Sequence, residues 1–287
     1  MTAATSQAQH RRAIGESRRF ALRVGFYGMV ALVALFFALP MAWLILAPFD
    51  QVPTLAAEVP EFTLSNFERV LNNRLALRSM VNSLLLVVGV VGLVIVTGAP
   101  TAYVLSRIRF RGREIFLYVL LLFSSVVTGT AAMVPLFLLV FNLGMIDTFT
   151  GVVLVLAGGT LPASIFILKD FTDNTPPSYE ESARVFGASP IQILRDIVLP
   201  VIRPGLAVVS VWVGVNVWGN FLLPFILLRS PSRSPAAVLM YSFYTEGGQA
   251  DLRLISAFSL LYTVPVLLMY LYVNRRYGFR FFGGLKG

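Results

Sequence analysis

The chain has 287 residues, of which 57% are hydrophobic and 13% are charged, and it carries a formal net charge of +9. Soluble globular proteins are about half apolar and about a quarter charged, so this composition, with a mean hydropathy of +0.78, indicates a membrane protein. The absence of cysteine excludes disulfides, zinc–thiolate sites, iron–sulfur clusters and thiol nucleophiles.

Six apolar stretches are long enough to cross a bilayer, which requires about 20 mostly apolar residues. In chain order they are residues 24–46, 81–105, 115–137, 149–168, 205–228 and 254–273. The predicted fold class is therefore an all-α integral membrane protein with six transmembrane helices. Residues 1–23 and 274–287 are predicted to form terminal tails, and residues 24–273 a single transmembrane domain.

The distribution of basic residues predicts the orientation of these spans. With the N-terminus inside, roughly three quarters of the 23 Lys and Arg residues fall in inner segments. Both termini are therefore predicted to be cytoplasmic, and the basic loop ends are expected to contact anionic lipid headgroups. The sequence has no basic helix and no aromatic RNA-binding signature, so nucleic acid is not predicted as a partner.

The polar groups that most carriers and enzymes need are missing from the spans. None of the 14 acidic residues lies near the middle of a span, which argues against a proton-driven carrier. Sodium coupling through backbone carbonyls stays open as an alternative. The single histidine, His10, lies in the polar tail, so neither metal binding nor catalysis is predicted. Neither lysine, Lys169 or Lys286, belongs to a phosphate-binding glycine loop, so any ATP would be hydrolysed by another polypeptide.

Two groups of polar residues within the spans are candidates for a translocation pathway. In the third span Ser124 and Thr128 share a helix face, and they either line a pathway or hydrogen-bond to the preceding turn. In the fifth span Trp212, Asn216 and Asn220 are spaced four apart and share a face. An indole can stack on a sugar ring while amides bind hydroxyls; the alternative is hydrogen bonding between helices.

The inner segment between the fourth and fifth spans, residues 170–203, is far longer than a simple connection between helices. Ser178 and Glu181 have the spacing of a capping box, which predicts a short helix. Gly187 is expected to end that helix in a left-handed conformation. The Ser-Pro pair at Pro190 predicts a second helix. The resulting hairpin either lies on the lipid headgroups or docks on another protein.

The spacing of this hairpin resembles a known motif. Glu181-Ser182-Ala183-x-x-x-Gly187, followed by Ile197-x-Leu199-Pro200, is similar to the EAA motif of permease subunits in bacterial ATP-binding cassette (ABC) importers. The chain resembles the carbohydrate branch of that family, and within it the maltose G-type permeases. Three further segments contribute to the resemblance: Thr63-Leu64-x-Asn66-Phe67, Asn142-Leu143-Gly144 and a C-terminal Gly-Leu-Lys-Gly.

The resemblance implies the fold of a type I importer permease, in which the hairpin is a coupling helix seated in a cleft on the ATPase. The positions that it assigns to ATPase coupling are Glu181, Ser182, Ala183, Phe186, Gly187, Ala188, Leu199 and Pro200. The chain departs from the family pattern at Ser182, where alanine is common, and at Phe186, where aspartate is usual. The second change gives the docking surface an apolar group in place of a charge.

The resemblance also implies a set of partners and a function. The chain is expected to be the non-catalytic permease subunit of an ATP-driven, binding-protein-dependent sugar importer in the bacterial plasma membrane. Its expected partners are a second homologous permease, an ABC ATPase dimer that binds ATP and Mg²⁺, an extracytoplasmic solute-binding protein, the sugar and membrane lipid. No cofactor is expected on this chain. Disaccharides, amino sugars, oligosaccharides and glycerol phosphates all fit the resemblance, and an ion-coupled carrier or channel is the alternative.

Overall fold

The computed structural model describes residues 2–54, 61–108, 111–127, 130–245 and 250–277. Within these ranges the chain is helical and contains one isolated β-bridge, between Asp50 and Phe62. The helices are α1 (Thr2–Leu46), α2 (Ser65–Asn72), α3 (Arg74–Arg107), α4 (Arg113–Val127), α5 (Met133–Asn142), α6 (Phe149–Asp173), α7 (Ser178–Val185), α8 (Pro190–Gln192), α9 (Leu199–Val201), α10 (Arg203–Trp218), α11 (Leu222–Leu227), α12 (Ala236–Thr245) and α13 (Leu252–Tyr277).

Four helical segments in the described ranges are long and apolar enough to cross a bilayer. They are Leu22–Phe49, Arg74–Arg107, Phe149–Asp173 and Leu252–Arg276. A fifth is obtained if Pro190–Val201 and Arg203–Trp218, which meet at an angle of 76°, count as one broken span. The described part of the structure thus shows an all-helical membrane protein with four such spans, fewer than the six transmembrane helices predicted from the sequence.

The difference arises because the third and fifth apolar stretches are interrupted. The third stretch is divided between α4 and α5, with a 3₁₀ turn at Thr130–Ala132 between them. In the fifth stretch α10 ends at Trp218 and the short α11 follows. Between these two helices the side-chain Oδ1 of Asn220 accepts a hydrogen bond from the backbone N–H of Leu223, at 3.3 Å. Asparagine commonly satisfies backbone groups in this way, which favours a new helix start over continuation.

The hydrophobic core lies where α3 packs along α6, with α10 against both of them and α4 against α6. Val90 and Val94 of α3 and Val152 of α6 are completely buried in it. The start of α10 approaches the end of α6 closely, because a Cβ on Gly205 would lie only 2.6 Å from the ring of Phe171. Burial of these apolar side chains positions α10 beside α6.

The first helix differs from the rest of the bundle in its exposure. The apolar window of Leu22–Phe49 has none of its residues buried inside the chain. The helix is continuous from Thr2, so most of the segment predicted as a separate N-terminal tail continues directly into the first span. An apolar helix with so little contact to its own bundle requires lipid or another subunit around it.

The inner segment forms a helical hairpin, called here the inner hairpin (residues 178–201), whose first arm is α7 and whose second arm is Pro190–Val201. The left-handed corner at Gly187 is confirmed, with φ of +81°. The predicted capping box at Ser178 is wrong, because Pro177 occupies the N-cap with helical angles and makes no side-chain cap. A capping box forms instead at the second arm, between Ser189 and Gln192.

Candidate functional site: the inner hairpin and a membrane cavity

The tip of the inner hairpin is strongly apolar and exposed. Val185 is 86% exposed, Phe186 90% and Ile191 77%, all close to the glycine corner. Large apolar side chains at such exposure indicate a surface that another molecule covers. Glu181 is exposed beside them and forms no ion pair within the described ranges.

The other positions assigned to ATPase coupling divide into two groups. Ser182 and Gly187 are exposed, whereas Ala183 and Ala188 are half-buried against the core of the hairpin. Leu199 and Pro200 lie at the opposite end, half-buried, next to the 76° bend between the second arm and α10. The structure therefore brings the EAA part of the motif together at the tip. It places the Leu-Pro part at the bend where the second arm meets α10.

The structure also identifies a buried acidic residue that the sequence analysis missed. Glu180, next to the motif glutamate, is only 2% exposed. Its Oε1 accepts a hydrogen bond from Nε of Arg107 at 2.7 Å, and its Oε2 accepts one from the hydroxyl of Tyr103 at 2.9 Å. Both partners lie near the end of α3, more than 70 residues away in sequence. No local pattern in α7 distinguishes this glutamate from its exposed neighbour.

A cavity of about 550 Å³ lies within the bundle, between α4, α6 and the end of α10. Its lining residues are Tyr118, Leu121, Leu122, Val155, Leu156, Gly159, Thr160, Ala163, Trp212, Asn216, Val217, Asn220 and Leu223. The three pathway candidates of the fifth span therefore open into one space, although Asn220 lies just beyond the end of α10. The side chain of Ser124 and all of Thr128 lie outside the described residues.

The amides of the cavity are bonded within their own segments. Nδ2 of Asn216 donates to the carbonyl of Trp212 at 2.8 Å, and Oδ1 of Asn220 accepts from Leu223. In the described part of the chain, the side-chain hydrogen bonds of these two amides stay within residues 212–223. Among the residues that the structure describes, Oδ1 of Asn216, Nδ2 of Asn220 and the indole N–H of Trp212 have no hydrogen-bond partner, so they are available to bind another molecule.

The lining of the cavity is mostly apolar and carries a few uncharged polar groups. Among the lining residues that the structure describes, only Tyr118 is ionisable, and there is no Asp, Glu, Lys, Arg or His. Within the described ranges, no group of three or more His, Asp or Glu residues is placed so that it could hold a metal ion. Stacking by an indole and hydrogen bonding by amides and hydroxyls suit a neutral, hydroxyl-rich molecule.

Comparison with known sequences identifies relatives along most of the chain. The family described as "binding-protein-dependent transport system inner membrane component" matches residues 94–278. The maltodextrin transport system permease MdxG of Bacillus subtilis is 30% identical over 216 residues, covering 75% of this chain and 77% of MdxG. The diacetylchitobiose uptake system permease NgcG of Streptomyces coelicolor is 28% identical over 271 residues, covering 93% and 89% of the two chains.

Solved structures share the fold. A chain of a bacterial ABC transporter that imports the acidic polysaccharide alginate has a TM-score of 0.72 at 24% identity, covering 88% of this chain and 96% of that one. A chain of an alginate transporter in complex with its pentasaccharide-bound periplasmic protein has a TM-score of 0.61 at 18% identity, covering 90% and 94%.

These matches confirm the resemblance to sugar importer permeases that the motifs indicate. The apolar helices agree with the description of the family as an inner membrane component. The chain belongs to the family of binding-protein-dependent transport system inner membrane components, the multi-pass permease subunits of ABC importers in the bacterial plasma membrane.

Proposed function

We propose that this chain is one permease subunit of an ATP-driven, binding-protein-dependent sugar importer. The observation that carries the proposal is the exposed apolar tip at the Gly187 corner, in a chain of this family. A separate ATPase dimer would bind ATP and Mg²⁺ and cover this tip. No cofactor or catalytic group is assigned to this chain.

The composition of the hairpin favours docking on a protein over lying on the headgroups. A helix in the interface presents a continuous apolar face to the lipid. In α7 most exposed side chains, including Ser178, Glu181 and Arg184, are polar. Tyr179 is 55% exposed, and the other large exposed apolar group of this helix, Val185, lies at the corner beside Phe186. Inserting Phe186 into an apolar cleft would contribute about 25 cal/mol for each Å² removed from water.

The cavity supports a role as this subunit's half of the translocation pathway. Trp212 offers an aromatic face, and Asn216 and Asn220 offer amide groups that hydrogen-bond to hydroxyls. Relatives named for maltodextrin and for diacetylchitobiose make a saccharide the solute class of this proposal. Ser124 and Thr128 stay candidates for the same pathway from the third span.

The membrane topology of the proposal has six spans with both termini in the cytoplasm. The basic residues support it, because the inner hairpin and the other predicted inner loops hold most of them. The third and fifth spans would be broken helices, made by α4 with α5 and by α10 with α11. Residues 1–23 and 274–287 would flank the membrane domain 24–273, with 170–203 as its cytoplasmic coupling loop.

The exposed α1 supports the proposed second permease. Its apolar window has no buried residue, so neighbours outside this chain must cover it. A second, homologous permease would pack on part of this helix and supply the other wall of the pathway, while lipid would cover the rest. A solute-binding protein would deliver the sugar from outside.

The proposed cycle uses the hairpin as the moving element. ATP binding closes the ATPases and moves the inner hairpin, and the bundle changes from an inward-facing to an outward-facing state. The binding protein then releases sugar into the pathway, and hydrolysis resets the bundle. Such an alternation needs a difference in contacts between the two states, which the docked ATPases supply.

Purification from membranes in mild detergent, followed by reconstitution in vesicles, tests the proposal. We expect the chain to be isolated with an ATPase and a second permease, and uptake to require ATP. Asn216→Leu should reduce uptake by about tenfold, since the buried hydroxyls of a sugar would lose a hydrogen-bond partner. The adjacent Val215→Leu, at an exposed position, is the matched control. Uptake by this chain alone, driven by an ion gradient, would establish the alternative carrier.

A further inference from the structure

The first arm of the inner hairpin contacts the membrane domain through the buried side chain of Glu180 and through the half-buried Ala183, which packs against the apolar cluster around Tyr103. Of the eight residues of α7, all described, only Glu180 is buried. Its carboxylate is held by Arg107 and Tyr103, which both belong to α3. An ionised carboxylate is retained in such a place only when it is paired and hydrogen-bonded. The attachment made by Glu180 is therefore specific and electrostatic.

Arg107 joins three segments at one point. Its Nε pairs with Glu180 of α7, and a terminal nitrogen donates to the carbonyl of Thr175, after α6, at 3.0 Å. The other terminal nitrogen donates to the hydroxyl of Ser106 at 3.2 Å. That hydroxyl donates in turn to Asp173, at the end of α6. The guanidinium thus fixes the position of α7 relative to the inner ends of α3 and α6.

The second arm is attached differently. Ile193, Val198 and Ile202 pack with Tyr103 in a small apolar cluster. Apolar packing is non-directional, so it tolerates small sliding movements. The Arg107–Glu180 hydrogen bond is directional and ties one side chain to another across two helices.

We propose that the Arg107–Glu180 pair is the link through which movement of the inner hairpin reaches the second span, α3. The inference rests on the proposed function, since the hairpin moves only if an ATPase docks on it. Arg107 and Glu180 are positioning residues that would contact neither sugar nor nucleotide. With the pair intact, a displacement of α7 carries the end of α3 with it. Without the pair, the first arm moves alone.

Arg184 provides a matched control on the same carboxylate. Its guanidinium lies 3.7 Å from Oε2 of Glu180, but it is four residues along the same helix and is largely exposed. Removing it takes one positive charge from the surroundings of Glu180 and leaves the connection between helices in place. Arg184→Met should therefore leave coupling close to that of the unmodified chain.

The absence of cysteine allows the link to be removed and rebuilt. The double substitution Arg107→Cys with Glu180→Cys removes both charges together, so no unpaired charge is buried. A bifunctional thiol reagent long enough to replace the two side chains then bridges the positions, and a monofunctional reagent controls for modification alone. The measurement is sugar transported per ATP hydrolysed, in vesicles containing the complete transporter.

We expect the unbridged cysteine pair to assemble with the ATPase and hydrolyse ATP, but to transport about tenfold less sugar per ATP. Bridging should restore the amount of sugar transported per ATP. If the reagent attaches through disulfide bonds, a reductant should remove the bridge and abolish the recovery. Normal coupling without the bridge, no recovery with it, loss of subunit assembly, or an equal defect in Arg184→Met would each overturn the inference. Failure of the unmodified chain to join an ATPase would instead refute the proposed function.

Discussion

Trp218 and Tyr262 exchange two hydrogen bonds across the fifth and sixth apolar stretches. The indole N–H of Trp218 donates to the carbonyl of Tyr262 at 3.1 Å, and the hydroxyl of Tyr262 donates to the carbonyl of Trp218 at 2.7 Å. Their rings stack with centroids 5.4 Å apart. The pair anchors α10 to α13 at the residue where α10 ends, so it fixes the break beside the cavity.

Removing the hydroxyl of this pair should weaken the anchor. Tyr262→Phe leaves the ring in place and deprives the Trp218 carbonyl of its side-chain donor, so we expect the folded state to lose about 1 kcal/mol. Tyr270→Phe, at an exposed position on the same helix, should change stability by less than about 0.5 kcal/mol. Thermal unfolding in detergent compares the two variants. Equal effects would show that the hydroxyl of Tyr262 contributes nothing particular.

The turn at Asp147 predicts a dependence of stability on pH. This residue has φ of +59°, and its carboxylate accepts hydrogen bonds from the backbone N–H groups of Arg229 and Ser230 and from the Ser230 hydroxyl. The hydroxyl of Ser230 is the largest cause that lowers the pKa of Asp147 below its ordinary value, followed by the backbone N–H of the same residue.

Because the pKa of Asp147 is lower in the folded chain, the carboxylate's stabilisation is fully present above its unfolded pKa and is lost as pH falls through the folded one. Asp147→Asn tolerates the left-handed conformation but has no charge to titrate. We expect the variant to be less stable at pH 7 and the difference from the unmodified chain to shrink as pH falls below the ordinary pKa of aspartate, about 3.9. Unfolding curves across this range check it. A difference that is constant with pH would contradict the assigned role.

Substitutions at Gly187 distinguish the effect of backbone conformation from the effect of side-chain size. A Cβ at this glycine would meet nothing within 4 Å in the chain itself, so the cost of substitution here is conformational. Gly187→Ala should cost about 1–2 kcal/mol, because a non-glycine residue is strained at this φ. Gly187→Asn should cost less, since asparagine tolerates left-handed angles.

Transport per ATP is the measurement for these corner variants. We expect Asn at position 187 to retain most of the coupling, while alanine and the bulkier Gly187→Val lose it with membrane insertion intact. If Asn and Val reduce coupling equally, the limit is set by space against the ATPase and not by the backbone angle.

The apolar tip predicts which change at Phe186 weakens docking. Phe186→Leu keeps an apolar group of moderate size, whereas Phe186→Ser removes most of the apolar surface that a cleft would bury. We expect the serine variant to lose the ATPase during purification and the leucine variant to keep it. Quantifying ATPase co-isolated per permease checks this. Equal retention by both variants would place Phe186 outside the interface.

Local chemistry explains which features the sequence could predict. Gly187 and the Ser189–Pro190 pair define a corner and a helix start through their own backbone preferences, and the structure has both. Helical periodicity alone predicts that Trp212 and Asn216 share one face of α10. In the structure both of them line the same cavity.

Features that depend on distant contacts were not predictable from one sequence. The burial of Glu180 is set by Arg107, which lies 73 residues earlier, so α7 alone gives no signal for it. The fifth apolar stretch is long enough for one span, so its length predicted a helix through Gly219 and Asn220, where the structure has a break. The capping box was assigned to Ser178 although Pro177 already begins the helix there. In each case tertiary packing or a neighbouring residue overrode a local pattern.

The central claim is that a separate ATPase docks on the tip of the inner hairpin. It is tested most directly by a single engineered thiol, Ser182→Cys, at an exposed position of the first arm close to the corner, in a chain that has no other cysteine. A short photoactivatable cross-linker attached to that thiol in transporting membranes should yield one main product, this chain joined to the ATPase. If the cross-linker reacts only with lipid while the same membranes import sugar with ATP, the account is contradicted.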